Sequence, residues 1–262
     1  IEKINFSSQN DFSFDINNKF KISKLSINSE MKLNHLIINN KKKGKYFFPQ
    51  IDDQILFENH NIKLNFKDDI ISISGSGDIL IQKNKDRIQY SIKNPGKLYQ
   101  IKTSLELNQN QFFIEFLNYK KDDESKVIIE TELIINQNKE MKFKKIKIKE
   151  NSNKFIIENV FLDKDFRIIK IDKIDLDYVD KENKENFIKL SRDKETYNLI
   201  GTRFNADNLI TKILNSDSSK SELFKKDFAL NIKVDQIYID NKNSFKNLEG
   251  NLYIKDNKVN SA

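Results

Sequence analysis

Apolar and polar residues alternate along most of the chain, which is the period of a half-buried β-strand. Residues 62–66, 88–92 and 228–234 each carry an apolar side chain at every second position, and a further strand is expected at 112–117. Turns rich in Asn, Asp and Lys follow such runs at intervals of about ten residues, the spacing of an all-β meander. One turn is expected at the Gly-Ser-Gly sequence of residues 75–77. The pattern predicts a mainly β protein made of many antiparallel strands.

One segment has the spacing of a helix instead. Its apolar side chains fall on a single helical stripe, at positions i, i+3, i+4, i+7 and i+8. They are Ala206, Leu209, Ile210, Ile213 and Leu214. Asn205 is suited to cap the first turn, and the polar run 215–219 ends the segment. We therefore predict one short amphipathic helix near residues 205–215, covering one end or edge of the sheet.

The scarcity of glycine and proline bears on how the sheet closes. The chain has 6 Gly and 2 Pro in 262 residues, whereas tight closed barrels generally need more glycine at their corners. We predict an elongated, curled antiparallel β-sheet that forms an open groove. The alternative is a closed sandwich or barrel, which alternation by itself favours because alternating apolar residues most often form a core.

Two segments of this sheet are expected. Residues 1–193 would form the groove segment, and residues 194–262 a strand-helix-strand segment that continues it. The chain begins at Ile1 and stops soon after a strand-like stretch, so we expect a fragment of a longer protein. No run is long and apolar enough to span a bilayer, and we expect a membrane anchor outside this segment.

The charge balance is basic but mixed. The net charge of +7 comes from 46 Lys and Arg against 39 Asp and Glu, and such an excess can indicate nucleic-acid or anionic-membrane binding. The densest basic clusters, residues 41–43 and 142–149, have acidic neighbours or lie on predicted strands, and no basic helix accompanies them. We predict a solvated charged face and no nucleic-acid partner, and attraction to anionic headgroups stays open. The absence of cysteine excludes disulfides and thiolate metal sites.

Neither histidine has the sequence context of a catalytic residue. His35 and His60 lie far from any nucleophile or orienting partner in the sequence, so both are expected to have structural or surface roles, His60 in a polar loop. The acidic pairs at 52–53, 68–69 and 122–123 are expected at turns.

A group of four aspartates looks like a cation site but lacks the glycine and the terminal glutamate of a calcium loop. They are Asp172, Asp175, Asp177 and Asp180, and their alternation with apolar residues places them on a solvated face. We predict no catalytic residue, no metal ligand and no cofactor, and therefore no enzyme.

An open curled sheet would line its groove with the alternating apolar positions. The predicted lining residues are Ile62, Leu64, Phe66, Ile71, Ile73, Ile79, Ile81, Ile88, Tyr90, Ile92, Val127, Ile129, Leu133, Ile135, Met141, Phe143, Ile146, Ile148, Ile174, Leu176, Phe228, Leu230, Ile232 and Val234. The lysines of 142–149 would lie on the opposite, wet face.

The last quarter of the chain carries a recognisable order of elements. Leu199-Ile200-Gly201 leads into the predicted helix, and a polar linker and strands expected at 228–234 and 236–239 follow. Residues 245–252 then contain a sequence of the form N-L-x-G-x-L. Together these features resemble the AsmA-like family of bacterial envelope proteins, within the bridge-like lipid-transfer superfamily.

The resemblance implies a long β-sheet groove that binds phospholipid and conducts it between the inner and outer membranes. It also implies a periplasmic location, an inner-membrane anchor outside this segment and an outer-membrane partner protein. Two other functions stay open. One is a scaffold or assembly factor for outer-membrane proteins, whose exposed sheet edge pairs with a client strand. The other is an extracellular β adhesion module.

Overall fold

The computed structural model describes residues 1–40, 48, 50–164, 167–210, 227–240, 242–255 and 258–261. The fold is mainly β, with one large curled sheet and a short helix at residues 207–210. The strands are β1 (Lys3–Ile16), β2 (Ile22–Asn39), β3 (Gln54–Lys67), β4 (Ile70–Leu80), β5 (Lys85–Pro95), β6 (Tyr99–Leu107), β7 (Phe113–Ile114), β8 (Tyr119–Lys120), β9 (Val127–Ile135), β10 (Met141–Glu150), β11 (Asn153–Leu162), β12 (Ile168–Val179), β13 (Glu185–Asp193), β14 (Thr196–Asn205), β15 (Phe228–Tyr238), β16 (Ser244–Lys255) and β17 (Lys258–Ser261).

Fifteen of these strands form one sheet in chain order, and β7 and β8 form a separate two-stranded sheet. All neighbours in the large sheet are antiparallel except β14 and β15, which are parallel. A parallel pair needs a connection of a dozen or more residues, and residues 206–227 separate the two strands in the sequence. The expected boundary at 193 falls in the tight turn between β13 and β14, and the sheet runs through it.

The sheet is a single layer. The alternating apolar residues at 62–66 and 88–92 are half-buried, not buried, as expected on a sheet face that no second sheet covers. The accessible surface is 16929 Å², whereas a compact monomer of 31.0 kDa exposes about 12,000 Å². The prediction of an elongated, open sheet is therefore confirmed, apart from its one parallel pair.

Asparagines in the left-handed conformation keep the apolar side chains on one face. Asn59 and Asn159 lie inside β3 and β11 with φ of 54° and 53°. At these positions successive apolar-face residues are three apart instead of two, as at Ile157 and Val160, which pack in one cluster. One extra residue in a strand keeps the following side chains on their original faces only if that residue forms a bulge. Asparagine is suited to such a bulge because it tolerates the left-handed region better than most residues. Asparagine thus supplies local freedom in a sheet with few glycines.

The turn expected at residues 75–77 is wrong, because β4 continues through both glycines. A Cβ on Gly75 would lie 2.6 Å from the Tyr90 hydroxyl oxygen, and one on Gly77 would lie 2.8 Å from the Cα of His60. The glycines make room for two rings on the neighbouring strands. Sequence reasoning treated them as chain-reversal signals, although a glycine inside a strand also marks a close approach.

Replacement of Gly77 tests this packing. We expect Gly77→Ala to lower the free energy of unfolding by about 1–3 kcal/mol, the usual result of overpacking, since backbone as well as the His60 ring lies in the way. Gly250→Ala is the matched control, because no atom lies within 4 Å of its added Cβ, and it should be neutral or slightly stabilising. Urea denaturation measures both, and equal midpoints for the two variants would contradict the interpretation.

Candidate functional site on the apolar face

The pairing register places the predicted lining residues on one face of the sheet, which we call the apolar face. A transverse row shows the relation: Ile62 is opposite Gly75, Gly75 is opposite Tyr90, and the row continues across β6 and β9 to Ile146. It then crosses β11 to β14 and reaches Ile232. Directly opposed residues point to the same side, so the predicted residues of β3, β4, β5, β9, β10, β12 and β15 share one face of the sheet.

Burial divides the apolar face into a covered end and an uncovered part. The buried members of the predicted set are Ile79, Ile81, Val127, Ile148, Leu176 and Val234. Four of these six belong to the larger of two buried clusters. The rest are half-buried, except Ile71, which is 39% exposed.

The uncovered part contains members that neither belong to the two buried clusters nor pack against them. They are Ile62, Leu64, Phe66, Ile71, Ile73, Ile88, Tyr90, Ile92, Leu133, Ile135 and Met141, and we call this set the open apolar field. Its residues come from β3, β4, β5, β9 and β10, and Ile101 on β6 connects them through its pairing with Ile92 and Leu133. The field is therefore continuous across six neighbouring strands.

The covered end is closed by residues 108–126, the segment between β6 and β9, which we call the cap. The Tyr119 ring lies 4.7 Å from Phe155 and 6.1 Å from Tyr178, both edge-on, and the Phe112 ring lies 6.2 Å from Tyr119. Edge-to-face contacts of this kind add to the area they bury. The strand expected at 112–117 is wrong: these residues form β7 and a 3₁₀ turn (Glu115–Leu117) over the sheet.

Glu150, at the end of β10, holds the cap to the sheet. Its carboxylate is almost fully buried and accepts hydrogen bonds from the Tyr119 hydroxyl at 2.7 Å, the Asp122 backbone N–H at 2.7 Å and the Ser125 hydroxyl. Burial, together with this carboxylate, raises the pKa of the Tyr119 hydroxyl, which therefore stays a donor at neutral pH. A buried charge with several donors is far less costly than an unpaired one.

A second attachment joins the start of the cap to β5 and the turn before it. The Gln82 side-chain amide donates to the Gln111 backbone carbonyl at 3.0 Å and accepts from the Gln111 backbone N–H at 3.1 Å. The Asp86 carboxylate accepts from the Asn108 backbone N–H at 3.0 Å and from the Asn110 amide at 2.6 Å. These side chains satisfy the backbone groups of a segment that leaves the sheet.

The predicted helix also contacts the cap. Residues 207–210 are helical, and the Asp207 N–H donates to the Asn205 side-chain oxygen at 3.3 Å, as the predicted N-cap requires. The Asn208 amide donates to the Glu115 carbonyl of the cap at 2.9 Å. The start of the helix and its place at one end of the sheet are confirmed, and residues 211–214 lie outside the described residues.

Two troughs lie on the opposite, polar face, which corrects the location of the predicted groove. The larger, of 1360 Å³, extends from β1 to β10. On β10 its lining includes Lys145 and Lys147 but not Ile146, which lies between them and points to the apolar face. The smaller, of 580 Å³, is lined on β1 by Gln9 and Asp11 but not by Asn10, which lies between them. Only side chains on the polar face can produce this pattern.

The troughs owe their depth to side-chain length. Their central strands carry short serines, at 74, 76 and 91, while lysines and glutamates stand on the flanking strands. These charges pair across strands, as Lys147 does with Glu130 at 3.1 Å, so the wet face predicted for 142–149 is confirmed. Five predicted lining residues border a trough, each between two polar residues of its strand: Ile62, Tyr90, Leu64, Ile73 and Ile92.

The histidines have structural surroundings. His60 is 1% exposed inside β3, not in a loop, and its ring nitrogens lie 3.0 Å from the Asp78 carbonyl and 3.3 Å from the Tyr90 hydroxyl. His35 lies 3.9 Å from Glu58 at the far end of the ion-pair range.

The remaining acidic candidates lie at turns or on strands. Asp175 and Asp177 are on β12, and Asp180 is buried, where it accepts from the Glu182 and Lys184 N–H groups of the following turn. The pair at 68–69 forms the β3–β4 turn as predicted. Within the described part of the chain, no cluster of His, Asp or Glu is arranged to hold a metal ion.

No family model, curated protein or solved structure matches this chain. Among the described residues, no helix is long and apolar enough to cross a membrane.

The attachment at Asp86 predicts a pH dependence. Burial raises the pKa of the Asp86 carboxyl above its ordinary value, against the opposing effects of Asn110, Asn108 and the Lys121 ammonium. The folded state therefore binds the proton more tightly than the unfolded state, so this contribution to the free energy of unfolding falls as pH rises through the raised pKa. Relative to Asp86→Asn, the wild type should gain stability between pH 7 and pH 4.5.

Urea denaturation at both pH values measures this difference, with Asp123→Asn, an exposed carboxylate on the same cap, as the background. A wild type that instead loses stability relative to Asp86→Asn on acidification would show that the hydrogen bonds from Asn108 and Asn110 outweigh burial.

Proposed function

We propose that the apolar face of this sheet binds the acyl chains of phospholipids. The observation that carries the proposal is the open apolar field, a continuous half-buried surface of aliphatic and aromatic side chains outside the two buried clusters. Contiguous apolar surface of this extent on a soluble sheet marks a site that another molecule covers.

The polar groups within the face favour hydrocarbon as the occupant. The Thr103 and Thr131 hydroxyls, which interrupt the central row, bond to each other at 2.8 Å. The His60 nitrogens are occupied by the Asp78 carbonyl and the Tyr90 hydroxyl. Both His60 nitrogens and one of the two threonine hydroxyl protons are thus engaged within the protein, so few polar groups of this face remain for a ligand. A ligand without polar groups, such as an acyl chain, fits this surface.

The dimensions and energies are consistent with this occupant. Six strands separated by about 4.8 Å give the row from Leu64 to Phe143 a width of about 24 Å. One lipid tail spans about half of a 30 Å hydrocarbon core, or about 15 Å, so the row is longer than one tail. Each methylene removed from water contributes about 0.8 kcal/mol, and a uniform apolar row gives that contribution at every position. A chain can therefore shift along the row with little change in free energy.

The resemblance of residues 199–252 to the AsmA-like family supports the same proposal. In that setting the segment would conduct phospholipid between the inner and outer membranes, with its membrane anchor and its outer-membrane partner in other parts of the assembly. The cap gives the apolar face one closed end, so lipid would enter and leave at the uncovered part.

A scaffold for outer-membrane proteins is the second candidate, and one observation favours it. The edge strand β1 is exposed along its whole length, which is the feature that strand addition requires. A scaffold of this kind would use the edge and leave the apolar face without a lipid.

A substitution in the open apolar field separates these functions. Ile92→Asp places a carboxylate in the middle of the field, and we expect it to weaken binding of a fluorescent phospholipid at least tenfold, about 1.4 kcal/mol, because the charge must stay hydrated. Ser91→Asp is the matched control: it adds the same charge to the next residue of β5, on the polar face, and should bind as the wild type does.

Native mass spectrometry on the purified chain gives the second measurement. Phospholipid that co-purifies with the wild type and Ser91→Asp, and is lost from a folded Ile92→Asp, supports the proposal. A lipid-free wild type that takes up no fluorescent phospholipid would refute it and favour the scaffold. Equal lipid binding by all three proteins would place the lipid elsewhere.

A further inference from the structure

Strand β1 forms one edge of the large sheet, and its outer side pairs with no described residue. All 14 of its residues are exposed. Its even-numbered side chains lie on the apolar face and include Phe6 at 53%, Phe12 at 69% and Ile16 at 57% exposure. The strand therefore presents unpaired backbone groups and large apolar side chains together.

The usual protections of an edge strand are missing from β1. Such strands are commonly short, bulged, or interrupted by proline or inward-pointing lysine. β1 contains no proline, and its register shifts against β2 are taken up by extra residues in β2, such as Asn34 and Lys24. Its one lysine, Lys3, is at its first position. β1 is thus a long, regular strand suited to pair with another strand.

The sequence of β1 is complementary to itself when the strand runs antiparallel to a second copy. With Gln9 opposite Gln9 of the second copy, residue i faces residue 18 − i. Ile4 then faces Phe14 and Phe6 faces Phe12 on the apolar face, while Lys3 faces Asp15 on the polar face. Asp15 already forms an ion pair with Lys24 at 2.8 Å, so Lys3 of the second copy would be a second cation beside the same carboxylate.

Neighbouring registers match less well. A shift that makes facing residue numbers sum to 16 puts Phe6 opposite Asn10 and Lys3 opposite Ser13. A sum of 20 keeps two apolar pairings, Phe6 with Phe14 and Ile4 with Ile16, but it puts Phe12 opposite Ser8 and removes the ion pair. Odd sums bring apolar side chains opposite polar ones, which directly opposed residues on one face cannot accommodate.

From this complementarity we infer that two copies of the chain associate through β1, with Gln9 at the two-fold axis. The association extends the sheet across the axis and joins the two apolar faces. Cross-strand aromatic and aliphatic pairs stabilise the pairing, and the edge gains the hydrogen bonds that it lacks in one copy. The inference does not depend on the proposed lipid function, because it uses the edge and leaves the open apolar field free.

Cysteine cross-linking tests the register directly, because the chain has no cysteine of its own. Facing residues of antiparallel strands have Cα atoms about 4.5–5.5 Å apart, within the range that a disulfide spans. Gln9→Cys should therefore give a covalent dimer of twice 31.0 kDa under mild oxidation. Ser13→Cys is the control on the same face of β1. Its two copies would lie about 27 Å apart, eight residues at about 3.4 Å each, and should not cross-link.

A charge exchange gives an independent test by light scattering. Phe6→Lys and Phe12→Glu should each produce a monomer, because each places a charge opposite an apolar ring of the second copy. In the double variant, Phe6→Lys with Phe12→Glu, the lysine of each copy faces the glutamate of the other. This gives two ion pairs across the axis and should restore the dimer. Both side chains are more than half exposed in one copy, so the variants keep the fold.

Four results would overturn the inference. Three of them are a wild type that stays monomeric at all concentrations, cross-linking of Ser13→Cys as efficient as that of Gln9→Cys, and a dimer that persists in Phe6→Lys. A dimer that instead dissociates on Ile92→Asp would pack through the apolar face, and that result also overturns pairing through β1.

Discussion

The structure depends on one constraint: a single-layer sheet must keep its apolar side chains on the same face across every strand. A slip of one residue would move all the apolar side chains of a strand to the polar face. The chain meets the constraint with bulges at residues such as Asn59 and Asn159, which insert one residue and return the alternation to its phase. Gly75 and Gly77 serve it too, since the absence of a Cβ allows the Tyr90 and His60 rings to approach β4 closely.

The cap follows from the same constraint. A single layer buries its apolar face only where another segment covers it, and residues 108–126 do so at one end. A segment that leaves the sheet loses its ladder partners, so its backbone groups need others. Glu150 and Asp86 provide them from the sheet, and the rings of Tyr119, Phe155 and Tyr178 fill the space beneath. Packing and polar satisfaction therefore occur at the same place, and the fully buried residues are concentrated there.

The alternation predicted a mainly β fold, and it selected apolar residues that share one face, because successive side chains of a strand point to opposite faces. It did not predict the cap, since residues 112–117 read equally well as a strand. The signal that distinguishes them from the half-buried strands is a nearly unbroken apolar run, in which apolar and polar residues do not alternate. The polar troughs were also missed. They depend on side-chain length, with serines between lysines and glutamates, and a two-state apolar and polar pattern carries no information on length.

The parallel pairing of β14 and β15 shows a related limit. The helix start at Asn205 was visible in the sequence, but the direction of the strand after the crossover depends on which edge it returns to. Phe204 and Ile237 are both buried and lie at opposed positions of the two strands, so packing fixes this pairing, and packing is not local in sequence.

An open sheet has two unsatisfied surfaces, and they require different partners. The apolar face is stabilised by a molecule that removes its hydrocarbon surface from water and needs no hydrogen bonds, and an acyl chain meets both conditions. The edge of β1 needs donors and acceptors at the spacing of a strand, which hydrocarbon cannot provide. Covering the face leaves the edge unpaired, and pairing the edge leaves the face exposed. The two surfaces can therefore be occupied at the same time, and a sheet lengthened through β1 would offer a longer apolar face to the same lipid.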